Sequence, residues 1–125
     1  MLDCMNRRTL KRHNHKPAAT EHHNVYVVLL DPAVARLKRV RVLNPCRNPG
    51  KPCVYVGMTG LSLEERFQNH KSGTKSSYYV QRYGMEFLPE LYAHLNPMPY
   101  EQAVVMEREL AEDLRGEGYT VTGGH

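Results

Sequence analysis

The stretch CVYVGMTGLSLEERFQNHKSG, residues 53–73, decides how this chain is read. Its first four residues are apolar and β-prone and stop at Gly57, the pattern of a short strand buried on both faces. Ser62 and Glu65 stand three apart, the spacing of a capping box, so a helix is predicted to start there. Leu63 and Phe67 share one face of that helix and are expected to dock on a sheet. Arg66 and His70, four residues apart, share the neighbouring face. Such a pair just after a strand end needs either structural partners or a phosphate.

Upstream, NVYVVLLD (residues 24–31) reads as a second buried strand, expected to pair antiparallel with the first. Between them, RVRVL alternates charged and apolar residues and predicts an edge strand over residues 39–43, followed by a Pro/Gly/Asn-rich loop. Downstream, SYYVQRYG suggests a short turn of helix and residues 90–95 a strand beside the sheet, with Pro89 arguing against a central position. The clearest helix runs from about Pro99 to Arg115, is stopped by Gly116 and Gly118, and leads into YTVT, a candidate last strand. The expected class is α+β: a small, mainly antiparallel three-stranded sheet flanked by helices.

With 125 residues, 41% of them hydrophobic, the chain suffices for one domain with a real core. Residues 1–23 read as a flexible basic arm, and residues 24–125 as the folded domain. No segment approaches the roughly 20 apolar residues that span a bilayer, so a soluble, cytoplasmic or otherwise intracellular protein is expected. The net charge of +4 favours polyanionic partners. Cys4, Cys46 and Cys53 are odd in number and not tightly spaced, which predicts free thiols in a reducing compartment. The histidines at 13, 15, 22 and 23 fit no closed tetrahedral zinc pattern.

On a helical wheel, Tyr100, Ala103, Val104, Leu110, Ala111 and Leu114 cluster about one direction, and the residue on that direction is Glu107. A carboxylate in an apolar stripe costs several kcal/mol, on a rough scale, unless it is paired or bound to a cation. Its partner is an arginine such as Arg66, or a metal ion. Tyr26 and Tyr55 pose a related question, because a buried phenol usually finds a hydrogen-bond partner. At the strand ends their hydroxyls would reach the rim that carries Arg66 and His70.

Taken in order, these pieces resemble the GIY-YIG endonuclease family. Its two tripeptides appear here as NVY (Asn24, Val25, Tyr26) and YVG (Tyr55, Val56, Gly57). The helix with an arginine and then a histidine one turn on is matched by GMTGLSLEERFQNH, with Arg66 and His70. The later helix with a metal-binding glutamate is matched by AVVMERELAEDL, with Glu107. Asn24 replaces the family's first glycine, the asparagine often found near the C-terminus has no counterpart, and the span between the tripeptides is longer than in compact members.

The resemblance implies hydrolysis of DNA phosphodiester bonds with a magnesium or manganese ion, in repair, recombination, restriction or mobile-element processing. Glu107 is then the metal ligand, Arg66 neutralises the phosphate, Tyr26 takes the proton of the attacking water with help from His70, and Tyr55 orients the phosphate or the water. Gly57 and Thr59 at the strand end, with Lys71 and Lys75 after the helix, are expected to contact DNA. Specificity is expected from a second protein or a homodimer. The competing reading is a GIY-YIG-like module that binds DNA without cutting it.

Overall fold

The computed structural model describes residues 22–72 and 77–124. At its centre β1 (Asn24–Leu30) and β2 (Cys53–Thr59) pair antiparallel along their full length, from Asn24 opposite Thr59 to Leu30 opposite Cys53. Val25, Tyr26, Val27 and Val28 are all essentially inaccessible, as expected of a strand covered on both faces. A short strand, β3 (Gly84–Phe87), pairs antiparallel with β1, and β4 (Thr120–Gly123) runs parallel to β2. The sheet is therefore four-stranded and mixed, in the order β3-β1-β2-β4. The α+β class stands and two of the three pairings are antiparallel, but the three-stranded count is corrected to four: Thr120–Gly123 forms a strand parallel to β2, and the long helix before it serves as the crossover that a parallel partner requires.

Two local expectations fail for identifiable reasons. Residues 39–43 form no edge strand but lie in the helix α1 (Lys38–Leu43), entered through a 3-10 turn at Pro32–Arg36. Val34 and Val40 are buried, whereas Val42 and Leu43 are 67% and 56% exposed, so the alternation in RVRVL does not describe the buried face. The buried Asn44 closes this helix. Its amide donates to the Val40 carbonyl at 2.8 Å and to the Val121 carbonyl at 3.0 Å, and its oxygen accepts from the Val121 N–H at 2.8 Å. Two of these three hydrogen bonds tie the end of α1 to β4, and the third closes the helix on itself.

Residues 90–95 are likewise not a strand. The Leu88 N–H donates to the Val27 carbonyl at 2.9 Å, and the chain then turns through 3-10 segments at Pro89–Leu91 and Ala93–Leu95. Proline has no N–H with which to extend the ladder. The strand that flanks β1 is the preceding GMEF.

The remaining helices are α2 (Leu63–Ser72), α3 (Tyr78–Tyr83) and α4 (Tyr100–Gly116). The expected cap of α2 is present: the Ser62 Oγ accepts from the Glu65 N–H at 3.1 Å and donates to Glu65 Oε1 at 3.0 Å. Helix α4 buries Ala103, Glu107, Leu110, Ala111 and Leu114, while Tyr100, assigned to the same stripe, is 54% exposed. The arm expected over residues 1–23 lies outside the described residues except for His22 and His23. His23 belongs to the fold, since its backbone exchanges hydrogen bonds with Met98 at 3.0 and 2.9 Å. Cys53 is a buried free thiol, but Cys46 is disulfide-bonded, which corrects its reading as free. Among the described residues no helix is long and apolar enough to cross a membrane.

Candidate active site

Register and sterics build the site from the two central strands. Tyr26 lies opposite Gly57, and Tyr55 lies two positions from Gly57 on the same strand, so all three face the same way. A Cβ at Gly57 would fall 2.6 Å from both Tyr26 Cζ and Oη and 2.8 Å from Tyr55 Cε2. Glycine is required there because two phenol rings occupy the space of a side chain. The rings stand 6.1 Å apart between centroids, and Phe87 from β3 supports Tyr26 edge-on at 5.9 Å.

Helix α2 adds the imidazole. Leu63 and Phe67 are only half-buried, and the residue that α2 buries completely is His70. Its ring lies 6.1 Å from that of Tyr26 and 5.6 Å from that of Tyr55. His70 Nε2 is 2.8 Å from Tyr26 Oη, and His70 Nδ1 accepts the backbone N–H of Ser77 at 3.0 Å. A backbone amide gives its proton up to nothing at ordinary pH, so Nδ1 carries the lone pair and Nε2 the proton. His70 is therefore the donor and the Tyr26 oxygen the acceptor.

The electrostatics follow from burial. Desolvation, and secondarily the charge of Arg66, pushes His70 down to about 4, so the ring is neutral at pH 7. Desolvation raises Tyr26 well above the ordinary phenol range, with Tyr55 adding to the rise, while Arg66 opposes it by hydrogen bonding and by charge. Tyr55 is raised too, by burial first and then by the neighbouring charge of Glu107, with Arg66 again opposing. Glu107 is pushed up to about 7 by burial and is 7% exposed. No cation among the described residues draws it back down, so the ion pair with Arg66, one of the two partners open on sequence grounds, is not formed.

Tyr26 and Tyr55 thus link the set, since Arg66 and Glu107 act on both phenols and His70 is bonded to Tyr26, whereas neither Arg66 nor His70 acts on Glu107. The four expected DNA contacts do not form one set. Gly57 is filled by the phenols. The Thr59 Oγ1 accepts from the Leu61 N–H at 3.0 Å, shaping the turn into α2. Lys71 Nζ donates to the Gly84 carbonyl at 3.0 Å and reaches the Gln81 carbonyl at 3.5 Å. Lys75 lies outside the described residues. Two supports escaped sequence reasoning. One is the Ser77 N–H. The other is Asn96, whose side chain pairs with both backbone groups of Val25, at 2.9 and 2.7 Å, where β1 runs beyond β3. A main-chain donor and a side chain mimicking a strand leave no residue pattern to read.

The donor set suits a hard cation. A carboxylate withdrawn from water and unpaired is what one magnesium or manganese ligand requires, since such ions keep several waters and take substrate oxygens besides one or two carboxylates. Among the described residues no group of three or more His, Cys, Asp or Glu stands together, so any ion held by Glu107 would take its other ligands from water and substrate.

Comparison with known proteins finds no matching family model, curated protein or solved structure.

Proposed function

We propose that this chain is a divalent-metal-dependent endonuclease that hydrolyses DNA phosphodiester bonds. One observation carries the reading. A buried carboxylate without a protein cation acts on two buried phenols, on which an arginine also acts and one of which is bonded to a neutral histidine, an arrangement that stabilises little by itself and suits a cation and a phosphate.

Each side chain has a distinct task in such a reaction. Arg66 offers a planar fork that matches two phosphate oxygens and opposes the charge developing in the transition state. Tyr26 takes the proton of the attacking water. A buried phenol is a weak base at neutral pH, so Tyr26 acts only after its own proton has passed to solvent, and His70 Nε2–H and Arg66 then both act on the phenolate oxygen that accepts the water's proton. His70 assists here as a hydrogen-bond donor, because its other nitrogen is occupied by Ser77. Tyr55 orients the phosphate or the water. Glu107 would hold the magnesium or manganese ion, which when bound supplies Lewis-acid stabilisation of the departing 3′ oxygen.

The test is plasmid nicking. Purified protein is incubated with supercoiled plasmid and with branched or flapped DNA, in magnesium or in chelator, beside Glu107→Ala and Arg66→Ala. Magnesium-dependent nicking by the wild type alone is expected. Equal cutting by the variants refutes the site, and tight binding without cutting leaves a non-catalytic DNA-binding module.

A further inference from the structure

The segment joining β1 to β2 carries a charge pattern that the site does not use. Residues 32–52 contain six Lys and Arg residues (Arg36, Lys38, Arg39, Arg41, Arg47 and Lys51) and no Asp or Glu. Six exceeds the net charge of +4 for the whole chain, so without this segment the protein would be net negative. Its cations are exposed.

Helix α1 delivers part of that charge onto α3. The Arg39 guanidinium lies 5.7 Å from the ring centroid of Tyr78 and 5.6 Å from that of Tyr79, and Arg82 lies 5.7 Å from Tyr78. Two guanidinium groups therefore share one phenol that is itself 47% exposed. Stacking on an aromatic ring contributes about 0.5–1 kcal/mol at an exposed site and fixes the guanidinium plane, leaving its N–H edges free for oxygen anions. Each stack is stabilising, but two guanidinium groups on one ring also repel each other, a cost that an anion bound between them would offset. These stacks also adjoin the candidate site, because Ser77, which donates to His70, directly precedes Tyr78.

We infer that the exposed platform formed by Arg39, Tyr78 and Arg82, extended by Lys38 and Arg41 of α1, grips the phosphate backbone of the nucleic acid that enters the site. This inference rests on the nuclease reading for the identity of its substrate. Val42 and Leu43, exposed on the same short helix, would also suit a lipid surface. Guanidinium forks pre-set on tyrosines favour phosphodiesters in a row, since a duplex offers a charge about every 1.7 Å.

The experiment measures binding of a short mixed-sequence DNA duplex by fluorescence anisotropy in chelator, so that no cutting intervenes. The proteins are wild type, the triple variant Lys38→Gln, Arg39→Gln, Arg41→Gln, and Tyr78→Ala, each checked for an unchanged thermal melt. Loss of three phosphate contacts makes the slope of log affinity against log salt shallower by about 2.7, so a fourfold rise in salt weakens the wild type about 40-fold more than the triple variant. Tyr78→Ala keeps every charge, so its slope stays at the wild-type value while its affinity falls roughly 5- to 30-fold. Parallel slopes for wild type and triple variant overturn the inference. So does a triple variant that loses binding to phosphatidylserine vesicles but not to DNA. Patch-dependent binding by a wild type that never nicks plasmid supports the platform and removes the nuclease reading, whereas nicking with parallel slopes does the reverse.

Discussion

His70 and Glu107 should cancel in the pH dependence of stability, and removing either should expose the other. Glu107 titrates at about 7 in the fold against 4.5 as a free side chain, so between these values the native protein holds a proton that the unfolded chain has lost. Stability contributed by this group is complete below pH 4.5 and falls as pH rises to 7. His70 titrates at about 4 in the fold against 6.5 when free, so between these values the unfolded chain holds the extra proton. Its contribution is absent below pH 4 and rises to completion at 6.5. Each slope is about 1.4 kcal/mol per pH unit with opposite sign, and each group contributes at most about 3 kcal/mol across its range. Neither appears among the causes that shift the other, so the two titrate independently.

The assay is urea denaturation in chelator at half-unit steps from pH 4 to 8, reading the midpoint at constant m. Wild type should be nearly flat from 4.5 to 6.5. Glu107→Gln should gain stability with rising pH in that window, and His70→Gln should lose it. The His70 variant will be less stable throughout because two hydrogen bonds go with the ring, but the sign of its slope does not depend on that. A Glu107→Gln profile that overlays the wild type would show an ordinary, solvated carboxylate, and the reasoning behind a cation at that position would fall.

Other outcomes follow from the same geometry. Magnesium at ten times its dissociation constant, above pH 7, should raise wild-type stability by about 1.4 kcal/mol and leave Glu107→Gln unmoved, read as a shift in the urea midpoint. Gly57→Ala should cost about 1–3 kcal/mol and abolish nicking, because its methyl group displaces both phenols. Tyr26→Phe should keep the fold and DNA binding while slowing nicking about 100-fold or more in single-turnover kinetics. Asn44→Ala should destabilise by about 1–3 kcal/mol, since it orphans the buried N–H of Val121 and leaves its carbonyl only the longer bond from Arg115 at 3.3 Å, and hydrogen exchange should quicken in β4.

Much of this arrangement could be read in residue order. The central hairpin, the cap of α2, the span of α4 and the inward position of Glu107 each follow from spacing or composition within one element. Failures occur where tertiary context outweighs a local pattern. RVRVL alternates like a strand, yet the buried contacts of Val34 and Val40 and the three bonds of Asn44 make it a helix. Wheel geometry placed Tyr100 in the stripe, but at the first turn of α4 it stands over His23 at 5.3 Å, beyond the sheet that would have covered it. On the site, the five side chains were named from the sequence. The direction of the proton between His70 and Tyr26 was not, because it depends on a neighbour that acts through its backbone.

That last contact has an evolutionary corollary. The group that selects which imidazole nitrogen is protonated belongs to the peptide unit at position 77, and every amino acid except proline supplies it. Drift at this position would be silent for His70 even when the serine, and with it the cap of α3, is lost. The preference is inherited through the path of the chain between two helices, and proline is the one replacement that would erase it.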